Sequence, residues 1–585
     1  MRINCHAHVH NLHATFTPET LRTLLDRLRR ENYPDFLVDR VHDLLTRAIE
    51  RAGDRPSPEV LLHGWVSDLL ADPSVQSQID ALNPTERIQF EVLGSELLDE
   101  LGLRAVARVL ESVRERVLAD GDDDAREKSI LDLIAFLHIL LQPSIRHVTQ
   151  RLMDQQAPDG AVVALTLDIT EGGSADEALF RHQLEQTTEQ IFAYPGRFFP
   201  FVCVNTRRAN HFPLMERALV AQGYVGVKLY PSLGYQVDSQ AMRAVLAYCA
   251  ERRVPLLMHC SPGGFYRSKQ TIHYGDPKHW RPLLEDFPDL KICFAHFGGA
   301  ENLVQESIPA DSWTQTILDL MGDFAGVYTD VAYNDAHMEG GAKEANYFGH
   351  LQRLLADPVR GERILFGTDF HLIRMRLREE NFWRYFERRL TADEFAQMTE
   401  ANPARFLGLP TGNSSLTWAL DNYVHFVAAN SDRCAARPAD WLDRAIRRTF
   451  GDAVTFDVSQ FGPRWSRNNL AHVWLYLHLR DNQMMPSRRP PFAEAGGLML
   501  RELQYWTKEH DPPAIFDRKR AALAERIDMI FTHSGAEYES GFDRESTRQH
   551  LADALDDGHS RLVDVAAQCD RLYLFPTETD ERIPV

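Results

Sequence analysis

The sequence predicts an α/β protein whose main body is a (β/α)8 TIM barrel. From residue 161 onward, short apolar runs of strand character alternate with helical stretches, which is typical of βα units around a parallel sheet. These runs are almost continuously apolar, as expected of strands buried on both faces. With one strand at the N-terminus, the predicted strands are 2–8, 162–170, 199–205, 225–230, 255–259, 291–296, 326–331 and 364–369. In such a barrel the reactive groups lie at the C-terminal ends of the strands.

The chain is long enough for more than one structural unit. Its 585 residues exceed the roughly 250 to 300 at which a single core stops growing. We assign residues 1–17 and 156–410 to the barrel. Residues 18–155 keep helical periodicity for too long to be an ordinary crossover, so they are predicted to be a large helical insertion after strand one. Residues 411–585 are predicted to form a mostly helical C-terminal unit.

Two helix boundaries carry specific signals. Thr17 offers a capping hydroxyl and Pro18 suits the first helical position, so a helix is predicted to begin there. The leucines that follow share one helical face and are Leu21, Leu24, Leu25 and Leu28. The last barrel helix is predicted to begin at the capping box Thr391 to Glu394 and to end near Gly408.

Composition and charge exclude several classes of function. With 64 Lys plus Arg against 84 Asp plus Glu, the net charge of -20 argues against general affinity for nucleic acid or for an anionic membrane. Because the first strand is predicted to begin at Arg2, no signal peptide is expected. The longest apolar run, 130–141, falls short of the roughly 20 residues of a bilayer span. Seven scattered cysteines are typical of free thiols, so a soluble, cytoplasmic protein is expected.

The strand ends carry residues that bind metal ions. His6 and His8 are two apart in the first strand, so they share a face and can reach one ion. His259, His296 and Asp369 each end a later strand-like run. Zinc and related divalent ions prefer imidazole and carboxylate ligands, and catalytic sites leave one position for water. The pattern therefore predicts a metal site at the barrel mouth, with zinc as the first choice of ion.

The individual roles are predicted in part. His6, His8, His259 and Asp369 would supply three imidazoles and one carboxylate. His296 is either a further ligand or a group that holds the substrate oxygen and shuttles a proton. His371 follows Asp369 closely and is an outer group behind the ligands.

Lys228 is a charged residue in the strand-four run, where Val227 and Leu229 face the other side. Lys228 and Tyr230 are therefore predicted to face into the barrel mouth. A buried ammonium is costly unless it is paired or neutralised. Three roles follow for Lys228: a carboxylated amine that bridges two ions, a cation that grips an anionic substrate, or a structural ion pair.

This ordered set of residues resembles the amidohydrolase superfamily. The motifs that carry the resemblance are His6-X-His8 on strand one, Lys228 on strand four, His259 on strand five, His296 on strand six and Asp369 on strand eight. The resemblance covers about residues 1–17 and 160–410. In binuclear members the strand-four lysine is carboxylated and bridges the ions, and the strand-eight aspartate is the general base.

Two branches of that superfamily are similar to different parts of the sequence. The stretch 227–231, followed by 256–259, is similar to dihydroorotase. The stretches 295–299 and 402–408 look more like the amidohydrolase-related branch that includes metal-dependent decarboxylases. That branch holds one ion with the first two histidines, the strand-five histidine and the aspartate, and its strand-six histidine is catalytic. The resemblance therefore implies a divalent ion, with a second one if Lys228 is carboxylated.

Three functions compete. The leading hypothesis is a hydrolase in which metal-activated water attacks an amide, ester, lactone or cyclic imide carbonyl of a small molecule, with Asp369 and His296 as catalytic residues. The alternative is a metal-dependent decarboxylase of a carboxylated aromatic or unsaturated acid. The third is an interaction protein on a barrel scaffold. Tyr230 and Arg267 are predicted to contact the substrate from loops at the active face, and self-association through the added helices stays open.

Overall fold

The computed structural model describes residues 1–30, 35–50, 58, 61, 62, 64, 65, 130–157, 159–169, 174–410, 414–454 and 456. The chain divides into two compact units. The first comprises Met1–Gly94, Ala105–Cys434 and Pro438–Val454, and the second comprises Ser95–Arg104, Ala435–Arg437 and Thr455–Val585. The predicted helices in 66–129 and in the C-terminal unit after residue 456 lie outside the described residues.

The predicted barrel is confirmed. Eight strands form one sheet in the order β1 to β8, and each neighbouring pair is parallel. The strands are β1 Ile3–His8, β2 Ala161–Leu165, β3 Phe198–Val204, β4 Gly226–Leu229, β5 Leu256–Met258, β6 Ile292–Phe294, β7 Val327–Asp330 and β8 Ile364–Leu365. Every residue in them is buried, which agrees with their continuous apolar runs.

The first strand meets the segment that follows the last one. The backbone N–H of Cys5 donates to the carbonyl oxygen of Phe366 at 2.8 Å, and that of Asp369 donates to the carbonyl oxygen of His6 at 2.7 Å. These bonds nearly close the barrel. They also bring the two ends of the ligand series together, although His6 and Asp369 are far apart in sequence.

Helices surround the sheet and extend from its connections. The α-helices are α1 Leu12–Thr15, α2 Pro18–Arg30, α3 Asp35–Glu50, α4 Ile130–Leu140, α5 Ile145–Met153, α6 Ser174–Ala193, α7 His211–Ala221, α8 Gln240–Arg252, α9 Arg281–Asp286, α10 Trp313–Asp323, α11 Gly341–Leu355, α12 Phe370–Ile373, α13 Glu379–Glu387, α14 Ala392–Ala396, α15 Asn402–Leu407, α16 Trp418–Ala429 and α17 Asp440–Phe450. A π-helical turn, Gln397–Ala401, joins α14 to α15. The 3₁₀ turns are Pro231–Leu233, Lys269–Gly275, Pro277–Trp280, Ala295–Gly298, Ala300–Asn302, Ala336–Glu339, Gly361–Arg363, Ser431–Arg433 and Gly451–Ala453.

Both predicted helix boundaries are found. Helix α2 begins at Pro18, and the four leucines of its predicted face are buried. Before α14 the Thr391 hydroxyl accepts from the Glu394 N–H at 3.3 Å, while Glu394 accepts from the Thr391 N–H at 2.8 Å. Gly408 follows α15 with a left-handed φ of 74°, a conformation that glycine adopts without steric cost.

Helices α16 and α17 pack against the barrel beside Gly196, just before β3. The Gly196 N–H donates to the Tyr423 hydroxyl at 2.9 Å, and the indole N–H of Trp441 donates to the Gly196 carbonyl at 2.8 Å. Tyr423 and Trp441 also contact the Phe199 ring. These two helices therefore belong to the same compact unit as the barrel.

Two composition-based expectations can be compared with the described residues. The six cysteines among them, Cys5, Cys203, Cys249, Cys260, Cys293 and Cys434, are all buried free thiols. None of the helices in the described ranges has both the length and the apolar character that crossing a bilayer requires.

Candidate metal centre

Three ligand-type side chains meet at the C-terminal ends of β1 and β8. One ligand atom each from His6, His8 and Asp369 lies within 4.8 Å of the other two, and all three residues are buried. His6 and His8 share a face of β1, as their spacing predicts. Asp369 reaches them because the segment after β8 is hydrogen-bonded to His6. Two imidazoles and one carboxylate that lie this close together form a donor set that suits a divalent ion.

Asp330, the last residue of β7, orients His6. Its Oδ2 lies 2.9 Å from His6 Nδ1, and its Oδ1 accepts from the backbone N–H of His296 at 2.9 Å and of Ala332 at 3.0 Å. Because an ionised carboxylate only accepts, His6 Nδ1 carries the proton and Nε2 keeps its lone pair for a ligand. The sequence analysis missed Asp330, although it ends a strand run as the other ligand types do.

Asp330 also belongs to a second group of ligand-type residues, with His6 and His296, whose ligand atoms lie within 4.8 Å of one another. His6 and Asp330 in that group already share a direct hydrogen bond at 2.9 Å. We therefore interpret the second group as the support behind His6, and the group of His6, His8 and Asp369 as the place for an ion.

His259 and His296 face each other across the same region. His296 Nδ1 lies 2.7 Å from the Ala332 carbonyl oxygen, and His259 Nε2 lies 3.1 Å from that of Gly263. Carbonyl oxygens only accept, so in neutral rings these two nitrogens carry the protons. The two nitrogens left without protons, His259 Nδ1 and His296 Nε2, then lie 3.2 Å apart.

Burial disfavours the charged form of both rings. It is the largest cause that lowers the pKa of His259 and of His296, and the positive charge of Lys228 lowers both further. His259 belongs to neither of the ligand-type groups found among the described residues, although it was predicted to be a ligand. The structure places it against His296 in the same cavity wall.

Lys228 lies inside the barrel, as predicted. It is fully buried, and its Nζ is 3.5 Å from His6 Nε2, the nitrogen that faces the ligand position. Burial lowers the pKa of this amine to about 8, against the opposing effect of the Asp369 and Asp330 carboxylates. A larger fraction of the amine is therefore neutral near physiological pH than in an exposed lysine.

Asp369 is held in an unusual environment and backbone conformation. Burial raises the pKa of its carboxyl to about 6, while the charges of Lys228 and Arg27 act in the opposite direction. Its φ is 53°, and two more residues of the cavity wall, His296 and Tyr333, have φ values of 63° and 48°. Left-handed conformations at non-glycine residues are strained and are concentrated at functional sites.

Two glycines permit close approaches around the ligands. A Cβ at Gly367 would lie 2.6 Å from the Cβ of His6, and a Cβ at Gly264 would lie 2.4 Å from the Tyr230 hydroxyl and 2.8 Å from the His259 ring. Tyr230 stacks on His259 with ring centroids 4.1 Å apart. Larger residues at either position would displace a side chain of the site.

A buried carboxylate ties β1 to the segment after β8. Glu379 is fully buried; its Oε1 accepts from Asn4 and Gln156, both at 2.6 Å, and its Oε2 accepts from the Thr368 hydroxyl at 2.7 Å. Asn4 Oδ1 in turn accepts from the backbone N–H of His6 at 3.0 Å and of Thr368 at 3.2 Å. The sequence analysis missed this network, because neither residue spacing nor hydropathy indicates that these side chains meet.

The region around His8 and Asp369 opens onto a cavity of about 510 Å³, a volume that suits a small molecule. Predicted site residues in its wall are His8, Tyr230, His259, His296, Asp369 and His371. Arg267, predicted to bind substrate, is exposed and lies outside this wall. Arg27 of α2 and Phe136 of α4 do line it, so the helical insertion contributes to the cavity.

The residues present fit a divalent ion. His8 Nδ1 is buried and has no hydrogen-bond partner in the described part of the chain, and His6 Nε2 is left unprotonated by the Asp330 contact. Asp369 adds an anionic oxygen beside them. The cavity supplies room for water and substrate in the remaining coordination positions.

Comparisons with known proteins concern the barrel part of the chain. Residues 151–409 match the family model described as amidohydrolase. No curated protein matches the chain. Five of the similar solved structures share 15 to 18% identity with it, and at such identities and TM-scores they add nothing to the fold already described.

Three of these structures illustrate the range of similar proteins. An uncharacterised TIM-barrel protein from Bordetella bronchiseptica is 18% identical over 46% of this chain and 85% of its own, with a TM-score of 0.33. An amidohydrolase from Burkholderia multivorans with bound zinc is 16% identical over 43% and 84%, with a TM-score of 0.28. The 4-oxalomesaconate hydratase from Rhodopseudomonas palustris is 16% identical over 56% and 94%, with a TM-score of 0.33. The family match, together with the ligand types at the strand ends, supports the amidohydrolase superfamily for this barrel.

Proposed function

We propose that this protein is a divalent-metal-dependent hydrolase that acts on a carbonyl of a small molecule, such as an amide, ester, lactone or cyclic imide. The observation that carries the proposal is the buried group of His6, His8 and Asp369, two of which, His8 and Asp369, line a cavity. Zinc is the ion we favour, because imidazole and carboxylate are its usual ligands. When bound there, the ion would supply an activated water and polarise the carbonyl.

The chain's own residues would handle the proton and the orientation of the reacting groups. Asp369, whose raised pKa of about 6 brings it near neutral pH, can accept a proton and return it to the leaving group. His296 Nε2 offers a second acceptor, because the Ala332 carbonyl holds the other ring nitrogen in the protonated form. Tyr230, stacked on His259, forms an aromatic wall beside them.

The number of ions depends on Lys228. Its amine, with a pKa of about 8, lies 3.5 Å from the ligand-facing nitrogen of His6. A neutral amine can react with carbon dioxide, and the resulting carbamate would offer two oxygens to bridge a pair of ions. We propose one ion at His6, His8 and Asp369, and a second one only in the carboxylated form. The proposal leaves Lys228 a cation in the form that binds a single ion.

The chemistry is tested with isotopically labelled water. The purified protein, with its metal content measured, is incubated with a panel of esters, lactones, amides and cyclic imides in oxygen-18 water. The proposal predicts that one oxygen-18 atom enters the acid product per turnover. A panel of aromatic and unsaturated acids tests the alternative, metal-dependent decarboxylation. Carbon dioxide release from these acids, with no hydrolysis of any ester or amide, would contradict the proposal.

The catalytic assignment is tested with Asp369→Asn, a variant that keeps a ligand oxygen but removes the base. We expect kcat to fall by about a hundredfold or more, as for loss of a general base. Glu301→Gln, an acidic residue elsewhere in the same wall, tests for a general effect of altering the cavity, and we expect it to keep the kcat of the wild type. Unchanged kcat in a metal-loaded Asp369→Asn protein would contradict the role of Asp369.

A further inference from the structure

Helix α2 of the insertion brings an arginine into the cavity. Arg27 is only 6% exposed, and it lies in the cavity wall together with His8, Tyr230 and Asp369. Its guanidinium carbon is 5.0 Å from the centre of the Phe265 ring, a contact that fixes the end of a long side chain. A positive charge thus lies in a wall that also contains several aromatic and imidazole side chains.

The charge of Arg27 acts on several groups of the site. Burial raises the pKa of Asp369, and the charge of Arg27 is one of those that oppose this rise; burial lowers the pKa of His10 and of His296, and Arg27 is a smaller cause in the same direction. These effects place the guanidinium within electrostatic reach of the proposed ion position and of His10. A ligand group near Arg27 would therefore lie near the reacting centre.

His10 is a second observation that points to a ligand. It is 4% exposed and lines the same cavity, yet neither of its ring nitrogens has a hydrogen-bond partner in the part of the chain that the structure describes. Its ring stacks on His371 with centroids 4.1 Å apart and planes 4° apart, which fixes its orientation. One ring nitrogen of a neutral imidazole must be a donor, and a buried donor without an acceptor is destabilising.

We propose that Arg27 and His10 form a subsite for a carboxylate of the substrate. The guanidinium presents N–H donors in a fork that matches a carboxylate, and the imidazole N–H adds a third donor. This inference rests on the proposed function, because it adds a substrate class to the same cavity. The substrate would carry its carboxylate at one end and its scissile carbonyl at the ion.

Two further charged groups line the wall. Arg376 donates to Asp335 at 2.7 Å, and Glu301 is an acidic group in the same wall. The proposal rests on the burial of Arg27 in this wall and on the ring nitrogens of His10. The α2 segment that carries Arg27 belongs to the insertion, which gives these added helices a role in substrate selection.

The test measures binding of simple acids to the full-length protein as purified, with its metal content recorded. Isothermal titration calorimetry compares acetate and benzoate with acetamide and benzamide, their neutral counterparts of similar shape. In Arg27→Gln, we expect the affinity for the acids to fall by about tenfold or more, as for loss of a charge-assisted pair, and the affinity for the amides to stay the same. Phenyl phosphate is the third arm and shows whether the subsite prefers carboxylate or phosphate.

Matched variants separate binding from folding. Arg22→Gln removes an exposed arginine from the same helix and should leave acid affinity unchanged. Arg27→Lys keeps the positive charge but loses the paired N–H donors of the guanidinium, so it should retain part of the affinity for the acids. His10→Gln should weaken acid binding without altering metal content. If Arg27→Gln does not fold, Arg27→Lys and His10→Gln still test the proposal.

The outcomes are distinguishable from failure of the proposed function. Acid binding that depends on Arg27 in a protein with no metal would support the subsite while removing the hydrolase proposal. Metal-loaded protein whose acid affinity is the same in Arg27→Gln and His10→Gln would overturn the subsite and leave the hydrolase proposal intact. A wild-type protein that binds none of the acids, or that binds phenyl phosphate but neither carboxylate, would also overturn it.

Discussion

His6 donates from Nδ1 to Asp330 Oδ2 at 2.9 Å, and the pair joins strands β1 and β7 across the barrel interior. Both side chains are almost completely buried. The contact fixes the ring so that Nε2 faces the position of the proposed ion. Asp330 thus links His6, a proposed ligand on β1, to the backbone after β6, because its other oxygen accepts from the His296 N–H.

Asp330→Asn is expected to weaken metal binding. The two oxygens of Asp330 accept from three N–H groups, so an amide must turn its NH2 towards a donor on one side. Loss of such support behind a histidine ligand typically costs about ten to a hundredfold in metal affinity. Competition with a chelating dye measures the affinity. The control, Asp335→Asn, alters a nearby carboxylate of the cavity wall and should leave it unchanged. Equal affinity in wild type and Asp330→Asn would refute this role.

Gly367→Ala is expected to displace His6. The new Cβ would lie 2.6 Å from the Cβ of His6, closer than real side chains approach, so β1 or the segment after β8 must shift. We expect lower metal content in a chain that still folds. Gly349→Ala is the matched control, because its nearest neighbour would be the end of the Arg353 side chain at 3.7 Å. Full metal occupancy in the Gly367→Ala protein would be inconsistent with the packing described here.

Glu379→Gln is expected to destabilise the fold. The amide presents donors where the carboxylate accepts from Asn4, Gln156 and Thr368, and an unsatisfied buried polar contact costs about 1 to 3 kcal/mol. Urea denaturation of the metal-free protein gives the change in free energy of unfolding. Glu380→Gln, a partly exposed neighbour, is the control and should lie within about 0.5 kcal/mol of wild type. A Glu379→Gln protein as stable as wild type would disprove the structural importance of this network.

His337→Phe is expected to flatten the acid side of the stability profile. Burial lowers the pKa of His337 to about 3 from its ordinary 6.5, and its ring stacks on Tyr347 at 3.9 Å. Below the ordinary pKa the unfolded chain binds a proton that the folded chain excludes, so stability falls as pH drops from 6.5 towards 3. One such group contributes at most about 1.4 kcal/mol per pH unit in that window.

The free energy of unfolding, measured in urea at several pH values between about 7.5 and 5, tests this expectation. The wild type should lose more stability on acidification than His337→Phe does. The exposed His279→Phe is the control and should keep the wild-type slope, because its side chain is solvated when the protein is folded. Parallel profiles for wild type and His337→Phe would show that His337 does not exclude a proton in the fold.

The barrel and most of the site could be predicted because short local sequence patterns indicate both. Apolar runs mark the strands, and His8, His259, His296 and Asp369 stand at or just beyond their ends. The predicted strands that carry the last three residues run too far, since the chain leaves extended geometry before them. His296 and Asp369 adopt left-handed backbone conformations that propensity cannot reveal.

The remaining site residues depend on tertiary packing. Asp330 acquires its role only when β7 and β1 share the barrel interior, and Glu379 only when α13 meets Asn4. Arg27 appears in sequence as an ordinary arginine of an amphipathic helix. Its place in the cavity is determined by how α2 packs, which hydropathy does not specify. Arg267 was predicted to bind substrate from its loop position, but the structure leaves it exposed.

The central claim is that His6, His8 and Asp369 hold a divalent ion, and elemental analysis of the full-length protein purified without chelators tests it most directly. We predict at least about one ion per chain in the wild type and near none in a His6→Ala/His8→Ala double variant that keeps its fold. The metal content of a Lys228→Ala variant, measured in parallel, tests for the second ion. A fall from about two ions per chain in the wild type to one or fewer in the variant indicates a carboxylated bridge, whereas about one ion per chain in both proteins indicates a single site. A wild-type protein that holds no divalent metal, even after incubation with zinc, would contradict the claim.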